Sequence, residues 1–229
     1  MGENHLKPIM VYDFETNGLP IFNQPSDDPQ QPHIVQAACV LVDGVSRQEL
    51  ASIDLIAKPD GWTIPDDVAA IHGITTDRAA QLGVAEIDIV AIIWGLWSRC
   101  SIRLAHNETF DARMMRIALK RYADRLGPDW DPDQWKAGQA ACTAILSQPI
   151  LKLPATAAMH ATGRHGSKKP KLTEAYKFFF GKEMENAHTA MGDVRGCLSV
   201  YWAIQDWGSA RAGEEAAIQE GGSEMPFLS

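Results

Sequence analysis

Three short runs carry the residues of this chain whose types and spacing could do chemistry. The first is Asp13-Phe14-Glu15-Thr16, at the end of the apolar stretch Pro8-Ile9-Met10-Val11-Tyr12. In a strand, successive side chains alternate between faces, so Asp13 and Glu15 share one face while Phe14 points into the core. Two carboxylates side by side repel unless a cation lies between them, and hard oxygen ligands suit Mg²⁺ or Mn²⁺. Taken alone, the pair also suits a strand running out into an acidic surface turn.

The second run is His106-Asn107-Glu108-Thr109-Phe110-Asp111, which follows an apolar segment and opens a helix. Asn107 has the chemistry of an N-cap. Asp111 falls one turn further along on the same helix face, too far on to cap, where the macrodipole favours a carboxylate. The third run is His188-Thr189-Ala190-Met191-Gly192-Asp193. Five positions on one continuous helix would rotate His188 and Asp193 about 140° apart. For both to face one site, His188 must lie in the loop ahead of the helix and Asp193 within it.

These residues need elements to position them. Residues 8–15, 33–42 and 49–57 read as strands, the last two joined by the turn Asp43-Gly44-Val45-Ser46, and 101–105 and 140–143 as shorter ones. Helices are expected over 65–71, 75–82, 85–98, from 107 to about 122, 171–180 and 190–207. Asn23 to Pro32 reads as a loop, and Gly127 to Gly138, with two Pro and two Trp, as an irregular connection. A hairpin of strands followed by strand–helix alternation predicts an α/β layered domain with a mixed sheet. We expect this domain to span residues 1–207, and 208–229 to be a flexible C-terminal tail.

At 229 residues the chain suffices for one sizeable core. The longest apolar stretch, Ile87 to Trp97, is too short to span a bilayer, and no secretory signal opens the sequence. Cys39, Cys100, Cys142 and Cys197 lie far apart without metal-ligand spacing, which fits reduced thiols and a cytoplasmic location. A net charge of −8 argues against non-specific coating of nucleic acid, but not against an enzyme whose bound cations offset its carboxylates.

Together, in this order and on these element types, the three runs resemble the DEDDh group of 3′–5′ exonucleases, the DnaQ-like family that includes proofreading subunits of bacterial replicative polymerases. The resemblance runs from about residue 8 to 207. It takes in Ile71-His72-Gly73-Ile74-Thr75 and Lys171-Leu172-Thr173-Glu174-Ala175-Tyr176 before Phe180-Gly181.

The resemblance implies a ribonuclease H-like fold, a five-stranded mixed sheet flanked by helices. It implies that Asp13, Glu15, Asp111 and Asp193 hold two Mg²⁺ or Mn²⁺ ions, with Asp13 bridging them, and that His188 is the general base. The expected reaction releases 5′-nucleoside monophosphates from single-stranded or frayed DNA 3′ ends, in proofreading or repair. Thr16, Asn17, Gly18, Ile71, His72, Asn107 and Phe110 would contact the terminal nucleotide, although an apolar Ile or Phe suits the core equally. Arg164, Lys168 and Lys169, in a run with Gly163 and Gly166 that reads as a mobile loop, would hold backbone phosphate. The segment Glu224-Met225-Pro226-Phe227 is similar in type to tails that dock on a sliding clamp or other replication protein, a polymerase being a further candidate partner. An exoribonuclease or oligoribonuclease using the same site, and a non-catalytic module that binds nucleic-acid ends, are the alternatives.

Overall fold

The computed structural model describes residues 7–221, with side chains as far as residue 210. Three long strands come first: β1 (Pro8–Thr16), β2 (Ile34–Asp43) and β3 (Glu49–Lys58). The β2–β3 turn closes because the Asp43 carboxylate accepts the Val45 and Ser46 N–H groups, each at 3.2 Å. Helices α1 (Asp66–His72) and α2 (Thr76–Leu82) follow; Gly73 ends α1 in the left-handed region at φ 74°, and the Thr75 hydroxyl caps α2 by accepting the Arg78 N–H. Then come β4 (Val84–Ala85), α3 (Glu86–Trp97), β5 (Ile102–Ala105), α4 (Glu108–Arg121), α5 (Ala123–Leu126) and α6 (Pro132–Ala137). The chain continues through β6 (Ala140–Cys142), α7 (Thr143–Leu151), α8 (Ala157–Ala161), α9 (Leu172–Phe180) and α10 (Ala190–Gly221).

The sheet order is β4-β3-β2-β1-β5-β6, a mixed α/β arrangement of the ribonuclease H-like kind. Five strands were expected; the sixth is the two-residue β4, which pairs parallel with the end of β3. Strand β1 is central, antiparallel to β2 and parallel to β5. Its side chains divide as alternation demands. Met10, Tyr12 and Phe14 pack with α3 and α4 on one face, while Ile9 and Val11 pack with α9 and α10 on the other. Asp13 and Glu15 continue the second series, and so point toward the start of α10.

Three segments differ from the sequence reading. The connection 127–138 contains α6, started by the Asp131 carboxylate on the Asp133 N–H and by Pro132 in the first turn. Helices α7 and α8 occupy a region with no predicted element. Helix α10 runs to Gly221 rather than stopping at Trp207, through a stretch rich in the helix formers Ala, Glu and Gln. The Glu224-Met225-Pro226-Phe227 segment lies outside the described residues. Among the described residues, no helix is long and apolar enough to cross a membrane.

Candidate active site

The site forms where β1 ends. Strands β1 and β5 are parallel neighbours, so their C-terminal ends meet at one edge, and α4 begins directly after β5. The first turn of α10 packs over the same edge. Oxygen atoms of Asp13, Glu15 and Asp193 come within 4.8 Å of one another, although Asp193 lies 178 positions beyond Glu15 in sequence (15 to 193). Asp111 stands beside this trio rather than inside it, fully enclosed, with Oδ1 accepting the Phe14 N–H at 3.1 Å. That bond fixes the start of α4 against the end of β1.

The four carboxylates perturb one another strongly. Burial, then the charges of Asp111, Asp193 and Glu15, hold Asp13 well above the ordinary carboxylate range. Glu15 is pushed up to about 7, by burial first and by Asp193 second. Burial raises Asp111 well above its usual range against the pull of the Phe14 N–H, and it raises Asp193 against the backbone N–H and the charge of His188. Such a cluster binds protons for want of a cation, and its all-oxygen donor set fits Mg²⁺ or Mn²⁺. Because the folded-state pKa of Glu15 lies above its ordinary value of 4.5, the native state holds more protons than the unfolded chain between those pH values. Stability conferred by this group is therefore lost as pH rises from 4.5 through about 7. Mg²⁺ is expected to raise the melting temperature more at about pH 8 than at about pH 5, and a melting series with EDTA controls checks this. An equal rise at both pH values would refute cation binding at these carboxylates.

His188 lies in the turn ahead of α10, exposed, at φ 66°, with its N–H 3.4 Å from Asp193 Oδ1. What places it there is Gly192. A Cβ at that position would sit 2.0 Å from the Asn186 carbonyl oxygen and 2.7 Å from Thr189 Oγ1, so only glycine lets the turn fold back on the helix. His188 and Asp193 line a cleft of about 410 Å³ together with His106, Asn107, Lys169 and Lys171. Asn107 does not cap α4: it takes φ 65°, which Asn tolerates, and makes no side-chain cap bond. Its amide is left to the cleft.

The cleft's far wall is tied down by His106, a residue the sequence reading left without a role. Its ring nitrogens meet Thr143 Oγ1 at 2.8 Å and the Pro170 carbonyl at 3.0 Å. Lys168 N–H donates to Leu153 O, and Gln148 to Ser167 O, so the loop expected to be mobile is tied at three points. Of the three basic residues expected to hold phosphate, Lys169 alone lines this cleft; Lys168 is paired with Glu174, and Arg164 donates to Thr162.

A second cleft, about 260 Å³, borders the carboxylates on the other side and is lined by Phe14, Glu15, Thr16, Gly18, Leu19, Ile71, His72 and Phe110. Ile71 is exposed there, so it is not core, whereas Phe110 is half-buried against the core. His72 is buried with Nδ1 accepting the Ile74 N–H, and its Nε2 has no partner among the described residues. Thr16 is spent locally, on the Gly18 carbonyl. The Asn17 side chain ties Thr63 O and the His33 N–H, and its own N–H donates to the His33 carbonyl at 3.1 Å, so of this residue only the carbonyl is left for a ligand.

A family model described as exonuclease, RNase_T, matches residues 10–201. The chain belongs to this exonuclease family. Its fold is similar to solved structures of Exonuclease I. E. coli Exonuclease I with a dT13 oligonucleotide superposes with a TM-score of 0.64 at 20% identity, covering 85% of this chain and 40% of that one. The zinc-bound E. coli Exonuclease I–ssDNA complex gives 0.63 at 20% identity, over 87% and 41%. The moderately thermophilic Exonuclease I from Methylocaldum szegediense gives 0.64 at 20%, over 87% and 40%. The chain thus spans about two fifths of the length of these proteins. No curated protein matches the sequence.

Proposed function

We propose that this exonuclease-family protein is a metal-dependent 3′–5′ exonuclease that releases 5′-nucleoside monophosphates from single-stranded or frayed DNA ends. The observation that carries this reading is the convergence of Asp13, Glu15 and Asp193 within 4.8 Å, with His188 hydrogen-bonded to Asp193 through its backbone at the mouth. Asp13, Glu15 and Asp193 would hold one divalent cation, and Asp111, beside Asp13, would help to hold a second. Bound there, the cations supply a lowered water pKa and charge compensation at the departing 3′-oxygen. The exposed His188 imidazole takes the proton of the attacking water as general base. The 260 Å³ cleft receives the terminal nucleotide, with Ile71 and Phe110 against the base and His72 in its wall. Asn107 and Lys169 face the adjoining phosphate.

DNA is favoured by the likeness to Exonuclease I complexes with DNA oligonucleotides; RNA hydrolysis by the same residues is the alternative outcome of the substrate comparison. A cytoplasmic setting, in replication or repair, goes with this reading, and a polymerase, sliding clamp or other replication protein would be the partner of the C-terminal segment. With Mg²⁺ and a 5′-labelled strand, the purified protein is expected to give a ladder that shortens from the 3′ end and that EDTA silences. His188→Gln is expected to slow it about 100- to 1,000-fold while Mg²⁺ affinity is retained. Wild-type turnover by that variant would rule out the imidazole as base.

A further inference from the structure

On the far side of α4's first turns lies a third cleft, of about 360 Å³, that neither the carboxylates nor the terminal-nucleotide cleft uses. Thr109, Ala112, Arg113 and Arg116 present one helical face to it, at spacings of three and four, and Lys136 of α6 and Phe22 of the β1–β2 connection complete it. Its acid, Glu108, is consumed by Arg103 at 2.7 Å. Three cationic groups therefore stand in one concavity of a chain whose net charge is −8. Among the described residues Arg116 makes no ion pair; Arg113 donates one terminal N–H to the Gln24 carbonyl at 2.6 Å, and the Nε–H groups of both are buried without a hydrogen-bond partner. Two like charges at i and i+3 repel, and an anion in the cleft between them and Lys136 offsets that repulsion.

The surroundings say what kind of anion. This cleft and the terminal-nucleotide cleft share a rim made by the β1–β2 connection and α4's first turn: Leu19 and Phe110 line one, Phe22 and Thr109 the other. Along the rim Ile71, Leu19 and Phe22 are 61%, 78% and 69% exposed, an arrangement without a core role. Apolar faces leading to a cationic concavity are how proteins hold a single strand, by stacking bases and neutralising phosphates. We propose that Arg113, Arg116 and Lys136 form a phosphate-binding subsite for the nucleic-acid strand, reached from the 3′-terminal cleft across Leu19 and Phe22. The proposal rests on the reading that the ligand is a nucleic-acid strand, and it adds a second anchoring point remote from the carboxylates. Strands long enough to reach the subsite bind through both points; very short ones use the terminal cleft alone.

The test compares the intact protein with Arg116→Ala/Lys136→Ala by fluorescence anisotropy in EDTA, so that binding is read without turnover. A strand of about 20 nucleotides should bind the variant about tenfold more weakly, with a log–log salt slope smaller by about 1 to 1.5, because two charges no longer release counterions. A trinucleotide should bind both proteins alike. Lys136→Ala alone, at an exposed position, should give part of the effect with an unchanged melting temperature. Equal affinity of wild type and variant for the long strand would overturn the subsite. So would erasure of the difference by millimolar inorganic phosphate or nucleoside monophosphate, which would show a pocket for free anions. Hydrolysis in Mg²⁺ is scored separately. A wild type that binds the long strand in this manner yet never shortens it keeps the subsite and defeats the nuclease reading.

Discussion

Asp13→Asn is expected to lower nucleic-acid hydrolysis by about a thousandfold or more, because it removes the carboxylate placed among all three others, and with it the charge that draws a divalent cation. The same substitution should leave the apo protein at least as stable as the wild type. Asp13 is held well above the ordinary carboxylate range by burial and by Asp111, Asp193 and Glu15, so its ionised form opposes folding. An isosteric amide keeps the volume and removes that opposition. Three measurements decide the matter: shortening of a 5′-labelled strand, Mg²⁺ and Mn²⁺ titration by calorimetry, and thermal melting in EDTA. Loss of activity with loss of stability would make Asp13 a folding residue. Retained activity would remove the cluster from the chemistry.

The second large effect concerns stability. Arg103 and Glu108 are almost wholly enclosed, with side-chain exposures of 3% and 9%, and their pairing at 2.7 Å is one part of a buried network. The guanidinium also donates to the carbonyls of Trp135 at 2.6 Å and Gly138 at 3.0 Å, and lies 4.8 Å from the centre of the Trp135 ring. The Tyr12 hydroxyl donates to the same Glu108 oxygen at 3.2 Å. Arg103→Met removes one charge and strands the other, which for a buried pair costs about 3–5 kcal/mol. In a chain of this size that corresponds to a fall in melting temperature of about 10 °C, readable by urea denaturation and calorimetry. Arg103→Lys should recover only a small part, since an ammonium cannot span Glu108 and two carbonyls as the planar fork does. A shift below about 1 kcal/mol would mean that solvent reaches the pair and that the network is not what binds β5, α4 and α6 together.

Much of the site could be read in one dimension because its governing regularities are local. The alternation of Ile9, Met10, Val11, Tyr12 and Phe14 determines which way Asp13 and Glu15 face. The five-residue gap between His188 and Asp193 requires one residue in the turn and the other in the helix, and they lie there. Other features depend on partners distant in sequence. Nothing in the local sequence marks Arg103 and Glu108 as a buried pair, because the Tyr12 and Trp135 that enclose them lie far away along the chain. Helix α6 hid behind its Pro and Trp content, although Asp131-Pro132 is a serviceable start signal and Trp135 proves to be fully buried. The fates of Lys168 and Asn17 could not be read from the chain, because each is spent on a group, Glu174 or Thr63, whose proximity the fold alone creates.

The imidazole and the acids are mounted on different kinds of support. Asp13 and Glu15 ride on a strand bonded on both sides, and Asp111 and Asp193 on helices, whereas His188 is carried by a turn with left-handed residues at 186 and 188. That turn is seated on a single glycine, Gly192. Excursions of such a turn, on the nanosecond-to-microsecond scale usual for loops, would carry the imidazole proposed as proton acceptor in and out of register without disturbing the carboxylate cluster. On the proposed mechanism, inherited change in the turn adjusts how fast the strand is shortened while ion affinity stays constant.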